Sequence, residues 1–464
     1  MLDPRTPSTP LTVGFDARLP TGRTALFGAQ HLLALTGIWL FPGIIGQALS
    51  LTPGQVGLIT QGCFLMTGVI TILQSSRLLR LPIVQGPTAA FMVAIIASAQ
   101  NFGLGTAFGS MMVAGLVFAL LSLPLRRCGL FGRVAAVAAH PIVFGTLFVI
   151  IGAQLATIGL SGWFGQPGAP GHGWPLLLVS GCTVLAVMAC TILGGRGVLR
   201  RASIFWGILA GTVLAASLGL WEIPDLSAVP MLGAPELLPF GFGVDAAAVG
   251  LMLLAFLQAG TESMGMYQLI GRWGGEQVDV ERTNRGLFTE FLGSVVGAAC
   301  GGIGTTSYPE NAGIVRVSGI GSRFVTMGAG IMAVVLAFIP KVGLLVAGLP
   351  GPVLAAASTV LFGIIALSGI QLLGEVVWDE LNLMVAAPAF IIALGTLFLP
   401  DEIVAALPPA LAGIVTNPMM VGVALLLVLH LVVNHGIRRL LPPAPADAAD
   451  PVQDRRAPVG PTLS

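Results

Sequence analysis

Glu262 is the residue with the sharpest chemical implication. It is the only charge between Asp245 and Arg272. Ten residues of helix at about 1.5 Å each place it about 15 Å from Arg272, near mid-bilayer if the run crosses a membrane. A charge there costs about 2.5–3.5 kcal/mol by insertion scales, so such residues face a cavity or a partner and mark a substrate or proton path. A second acid, Glu310, follows Pro309 in "GIGTTSYPENAGIVRVSGIGSR". Proline suits a first helical turn because its missing N–H would have had no partner there. An acid in that turn is favoured by the positive helix end. Asn311 adds a donor and an acceptor. His31, in "GAQHLLAL", and Gln85, in "LPIVQGPTAAF", are further polar side chains in apolar runs. Glu290, about one turn from Arg285, is expected to pair with it near the membrane interface.

Carboxylates accept hydrogen bonds, and exposed N–H groups at half-helix N-termini donate them. A heterocycle whose edge alternates N–H and C=O satisfies both sets in one plane. A simple inorganic anion meets repulsion from two acids. A bare cation leaves the N–H groups unpaired.

These residues need a membrane scaffold to hold them. The chain is 55% hydrophobic and only 9% charged over 464 residues, against about 25% charged in soluble proteins. That composition identifies a polytopic membrane protein. The net charge of +1 gives no basic surface for nucleic acid. The five cysteines are scattered and form no CxxC pair, so neither a disulfide framework nor a metal site is expected. No cofactor is expected, and no nucleophile–base pair points to an enzyme.

Hydropathy predicts fourteen spans. They cover 24–48, 54–76, 82–100, 105–125, 134–158, 174–194, 203–220, 244–270, 284–301, 303–318, 323–346, 350–372, 381–399 and 417–436. With both termini in the cytoplasm, every arginine falls on the inner side and the outer loops carry acids, as the positive-inside rule requires. Residues 1–23 form a cytoplasmic N-terminal segment, 24–440 the transporter domain, and 441–464 a Pro/Ala/Asp-rich disordered tail. The protein is expected in the inner or plasma membrane.

Fourteen divides as seven plus seven, and an odd number per half inverts the second half relative to the first. Spans three and ten are interrupted at corresponding places, by Gly86-Pro87 and by Pro309. Irregular backbone at membrane depth is tolerated only inside protein or beside a wet cavity. Paired interruptions point to a transporter's substrate site.

These motifs together resemble the nucleobase–ascorbate transporter family, the nucleobase:cation symporters that include xanthine and uracil permeases. Its signature, an acid or amide followed by Asn-x-Gly, four residues, Thr and a small or basic residue, looks like Glu310-Asn311-Ala312-Gly313 through Ser318-Gly319, with serine in the threonine position. Gln30-His31 is similar to its Gln-His, and Glu262-Ser263-Met264-Gly265 to its E-S-x-G. "GTTSY" resembles its PTTTF, and "GPVLAAASTVLFGIIALSGIQLL" its twelfth span.

The resemblance implies an all-α fold with short strands in spans three and ten, at Gln85–Thr88 and Thr306–Tyr308. It implies a substrate-carrying core (24–125 and 244–346) and a dimerising gate (134–220 and 350–436). Glu262 and Glu310 take the family's substrate-binding roles. Asn311 follows in the signature, and Gln85, Gly86, Thr88 and Tyr308 lie in or beside the strands. Glu262 and His31 are the proton-coupling candidates. Met266 departs from the His or Asp that many members carry there. Glu310 leans towards uracil, whereas Met266 and "SGIGSRFV" look more like xanthine and urate carriers.

The expectation is a proton symporter importing a nucleobase such as xanthine, urate or uracil by an elevator movement. Its partners are the base, the proton, the lipid bilayer and a second copy in a homodimer. The alternative is a sulfate-permease-like anion transporter of the same architecture.

Overall fold

A computed structural model describes residues 11–123, 140–165, 171–195, 198–221, 224–408, 411–412, 415–416 and 418–440. The expected disordered tail at 441–464 and most of the 1–23 segment's first half lie outside these. Among the described residues the regular elements are helices except for two three-residue strands. In order it runs α1 (Thr21–Leu33), α2 (Thr36–Ala48), α3 (Pro53–Leu73), β1 (Gln85–Pro87), α4 (Ala89–Phe102) and α5 (Leu104–Leu121). Next come α6 (Pro141–Ser161), α7 (Trp174–Leu193), α8 (Ser203–Ser217), α9 (Ala246–Trp273) and α10 (Val280–Ala299). The remainder is β2 (Thr305–Ser307), α11 (Pro309–Ser318), α12 (Arg323–Ala337), α13 (Pro340–Ala347), α14 (Gly351–Leu373), α15 (Glu380–Gly395) and α16 (Pro418–Leu429).

Among the described residues, six helices are long and apolar enough to cross a membrane, or seven if one bent pair counts as a single span. The bent pair falls within the expected span 323–346, which is not one straight helix: α12 and α13 meet at 87°. Pro340 opens α13 at its first turn, where it needs no intrahelical partner. The first expected span, 24–48, is also two helices. α1 ends at Leu33 and α2 begins at Thr36, with Leu35 at φ −75° and ψ 72° between them.

Packing follows a pattern. α3 lies on α12 and α10 lies on α5; α1 lies on α12 and α9 lies on α5. α7 packs on α8 and α15 on α16; α14 contacts α7, and α6 contacts α15. α6 and α14 pack on each other. Small residues allow the closest approaches, as is usual between membrane helices. A Cβ on Gly68 would lie 2.5 Å from the carbonyl oxygen of Gly330, so α3 and α12 touch backbone to backbone.

Residues 13–16 tie the described start of the chain to the rest of the protein. Val13 N–H donates to Gly319 O at 3.0 Å and Gly321 N–H to Val13 O at 2.9 Å, a short parallel bridge. Phe15 is buried against Gly274. Asp16 pairs with Arg323 at 2.6 Å and Arg80 at 3.2 Å. The Arg323 guanidinium holds the Asp16 carboxyl below the usual carboxylate range, with slight burial opposing it and Arg80 assisting. A carboxyl depressed in the folded state adds stability above its unfolded pKa and loses it as pH falls through the folded value. Asp16 is 61% exposed, so the gain is under about 1 kcal/mol. Asp16→Asn should lower the melting temperature slightly at pH 7, and the difference should vanish as pH falls through the lowered folded-state pKa of Asp16.

Candidate substrate site

The two strands meet in an antiparallel ladder: Gln85 faces Ser307, Gly86 faces Thr306 and Pro87 faces Thr305. Two flanking bonds extend it, Thr88 N–H to Gly304 O at 3.2 Å and Tyr308 N–H to Val84 O at 3.0 Å. The backbone left open by the two interruptions is thereby paired within the protein. The expected strands at Gln85–Thr88 and Thr306–Tyr308 shift slightly. Thr88 and Tyr308 cap the helices that follow, so the ladder ends before Thr88 and begins at Thr305.

Three helix N-termini converge on this ladder, one more than the proline pattern suggests. α4 starts after Thr88, whose Oγ accepts from Ala90 N–H at 3.4 Å. α11 starts at Pro309. α2 starts beside both: the Gly37 N–H donates to Tyr308 Oη at 2.6 Å, and a Cβ on Gly37 would lie 2.6 Å from Pro87 O. First-turn N–H groups have no intrahelical acceptor, and here a phenol oxygen supplies one. Gly86 lies against the same phenol; a Cβ there would come 2.7 Å from the Tyr308 ring. Each N-terminus brings partial positive charge and donors to the same place.

A buried polar network stands behind the ladder. Gln85 Nε2 lies 3.0 Å from Gln74 Oε1, 2.9 Å from Glu290 Oε2 and 3.0 Å from Ser307 Oγ. Gln74 Nε2 donates to Tyr267 Oη at 3.1 Å and Gly286 O at 2.9 Å. Glu290 Oε2 also accepts from Ser263 Oγ at 2.6 Å and Tyr267 Oη at 3.2 Å. Ser263 Oγ in turn accepts from Ser307 N–H at 2.8 Å, and Thr306 Oγ donates to Ala259 O at 3.1 Å. β2 is therefore laid along residues 259–263 of α9.

Glu290 corrects the sequence expectation. It is fully buried in this network and does not pair with Arg285, which bonds Glu281 at 3.3 Å instead. Five residues of helix turn the side chain through about 500°, so Glu290 and Arg285 point to different sides. The signal was present: Thr283, Glu290 and Ser294 all lie on the buried side of α10. Gln74, in the single π-turn that ends α3, was missed because nothing in "ILQSSRLL" distinguishes it.

The anticipated residues are placed as follows. Glu262 is half-buried on α9, beside Ser263, and holds a polar contact of its own. His31 is buried in the last turn of α1, next to the break, and also makes a contact. Asn311 is 2% exposed, and neither Oδ1 nor Nδ2 has a hydrogen-bond partner among the described residues. Gln85 Oε1 is similarly orphaned. Glu310 occupies the first turn of α11, and its side chain lies outside the described set. The structure thus gathers Gln85, Gly86, Thr88, Tyr308 and the start of α11 at one point, with α9 alongside.

Known proteins share this chain's sequence and architecture. The family model described as the Permease family (Xan_ur_permease) matches residues 22–402. The xanthine permease of Bacillus subtilis is 28% identical over 422 residues, covering 89% of this chain and 94% of that protein. The uric acid transporter UacT of Escherichia coli is 26% identical, covering 90% and 88%. The uracil permease of Bacillus caldolyticus is 27% identical, covering 87% and 94%. Among solved structures, the transmembrane domain of a cyanobacterium bicarbonate transporter, BicA, superposes with TM-score 0.57 at 16% identity, covering 90% of this chain and 100% of that one. The murine anion transporter Slc26a9 gives TM-score 0.59 at 12% identity, covering 89% and 69%. At those identities the likeness is one of fold alone.

Proposed function

The chain belongs to the Permease family and is a multi-pass membrane transporter, not an enzyme; on that premise we propose that it imports a nucleobase, with xanthine, uric acid and uracil the bases to test. One observation carries this: Asn311 is buried at a half-helix start with both amide atoms unmatched. A buried polar group left unpaired is costly. An amide offering one donor and one acceptor in a plane matches the N–H and C=O alternation of a base edge. Glu262 accepts from a ring N–H, and Glu310 is assigned to the same edge. First-turn N–H groups of α4 and α11 donate to ring carbonyls. Gln85, Gly86, Thr88 and Tyr308 hold the ladder that fixes these groups. The relatives' names support the substrate class.

The scaffold is proposed as fourteen spans in a 7+7 inverted repeat with both termini cytoplasmic. The packing supports it: exchanging each span for the one seven places away turns α3–α12 into α10–α5, and α1–α12 into α9–α5. The same exchange relates α7–α8 to α15–α16. Helices of 24–125 and 244–346 form the core; those of 134–220 and 350–436 form the gate. The core moves relative to the gate in an elevator step, and a homodimer anchors the gate. An anion transporter is disfavoured. Two acids at the site repel a simple inorganic anion, which has no ring N–H to donate to them, and the likeness to anion carriers lies in fold alone.

Coupling is to the proton, through Glu262 with His31 beside the α1 break. Sodium needs several oxygen ligands in a fixed cage, whereas a proton needs one titratable group. For symport the protonated acid travels with the base: its carbonyl oxygen still accepts the ring N–H, and it gives up the proton once the site opens to the cytoplasm. The test is uptake of labelled xanthine, urate and uracil, each competed with the others. Uptake should rise in acidic medium, collapse with a protonophore and ignore replacement of sodium by a large organic cation. No uptake of any base removes the substrate class; sodium-dependent uptake that survives the protonophore removes the proton.

A further inference from the structure

Between the end of α3 and the start of α10 lies a cleft of about 320 Å³. Its lining holds Arg77, Arg80, Arg282 and Arg285 against Asp16 and Glu276. Four charges less two leaves two positive. Just outside, Glu281 on Arg285 and Arg323 on Asp16 offset each other.

The four arginines are not equally engaged. Arg282 is committed to the protein: Nε donates to Leu79 O at 2.6 Å, Nη2 to Arg80 O at 3.2 Å, and Nη1 pairs with Glu276 at 2.6 Å. These bonds hold Arg80 in a left-handed backbone conformation, φ 56°, which costs energy in a non-glycine residue. Arg77 makes no side-chain hydrogen bond or ion pair among the described residues. The Nε of Arg285 is buried and has no hydrogen-bond partner there either.

The two helices add an independent observation. Leu73, four residues before Arg77, is 44% exposed. Leu292 and Val296, seven and eleven residues after Arg285, are 38% and 47% exposed. These spacings put each arginine on the same helical face as the exposed apolar residues. α3 and α10 pack together, so the two stripes are neighbours. In a membrane protein such stripes face lipid. Arg285 lies about 10 Å along the axis from Leu292, at the level where acyl chains give way to headgroups.

We propose that Arg77 and Arg285, backed by Arg80 and Arg282, seat the phosphate of an anionic phospholipid whose acyl chains lie along the exposed stripes of α3 and α10. Guanidinium groups bind phosphate oxygens in a bidentate fork. Continuity with the apolar stripes favours a lipid over a soluble phosphate, which would need the arginines alone. The site rests on membrane embedding and not on what is transported, so it stands or falls apart from the nucleobase assignment.

The test uses the full chain in detergent with phosphatidylglycerol, phosphatidylcholine or inorganic phosphate. Retained lipid is read by native mass spectrometry and stabilisation by melting temperature. Phosphatidylglycerol should be retained and raise the melting temperature; phosphatidylcholine should do neither. Arg77→Gln with Arg285→Gln should weaken phosphatidylglycerol binding about 25-fold, about fivefold per arginine. The Arg77→Lys, Arg285→Lys pair should retain most of it. If the double glutamine variant does not fold, Arg77→Gln alone carries the test, because that side chain bonds nothing among the described residues. Equal phosphatidylglycerol binding by wild type and variant overturns the site. Equal stabilisation by inorganic phosphate, lost in the variant, overturns the lipid and assigns a soluble anion.

Discussion

Glu262→Gln is expected to cut uptake of the preferred base by between about 10-fold and about 150-fold: the amide oxygen still accepts the ring N–H, but a neutral amide that can take up and release no proton replaces the ionisable acid, a difference of about 1.5–3 kcal/mol. The substitution keeps the shape of the side chain and removes both the charge and the proton site. Protein amount in the membrane and melting temperature should stay near wild type, since Glu262 is only half-buried. Labelled uptake normalised to membrane protein decides it. Near-normal transport takes Glu262 out of the mechanism and leaves Asn311 and the first turn of α11 as the recognition elements.

Glu290→Ala should lose transport and stability together. Ser263, Tyr267 and Gln85 all donate to one carboxylate oxygen. Removing it leaves several buried donors without acceptors, and breaking such a network costs about 3 kcal/mol or more. Glu290→Gln should be milder, because the amide oxygen still accepts. Glu290 is a positioning residue: it touches Gln85 of β1 and, through Ser263, the backbone of β2. Its loss should therefore weaken substrate affinity as well as lower the melting temperature. A binding assay on the purified variant separates the two effects. Unchanged affinity at a reduced melting temperature would mean that the network supports the fold and not the site.

Particular residues explain what the sequence disclosed. Gly86-Pro87 and Pro309 disrupt helical hydrogen bonding by their own chemistry, so both interruptions were legible locally. Glu262 was legible because a lone charge in an apolar run has few purposes. The break between α1 and α2 was not, since "LLALTGIWLF" contains no proline. It is stabilised by Tyr308, 271 residues away. Glu290 was misassigned by counting one turn where five residues had to be counted; Glu281, four residues before Arg285, is the helical neighbour. The bend at Pro340 had the same local signal, a proline followed by Lys341 in "AFIPKVGL", but the apolar residues on either side give the whole run the length of one span. Local chemistry announces where a helix stops, whereas the partner that makes stopping worthwhile is visible only in three dimensions.

The two-strand ladder also constrains how the chain is made. Gln85 and its partner Ser307 are 222 residues apart. Ribosomes add about 5–20 residues per second, so β1 emerges roughly 10–45 s before the strand that pairs with it. During that interval the N-terminal half carries backbone donors and acceptors at membrane depth with no internal partner, and hydrocarbon supplies none. The first half is therefore not a finished insertion unit. Either the translocon or an insertase shelters it, or water follows it into the bilayer until the second half arrives. Synthesised as separate polypeptides, the halves should mature only when expressed together, and the orphaned N-terminal half should be the one cleared by membrane proteases.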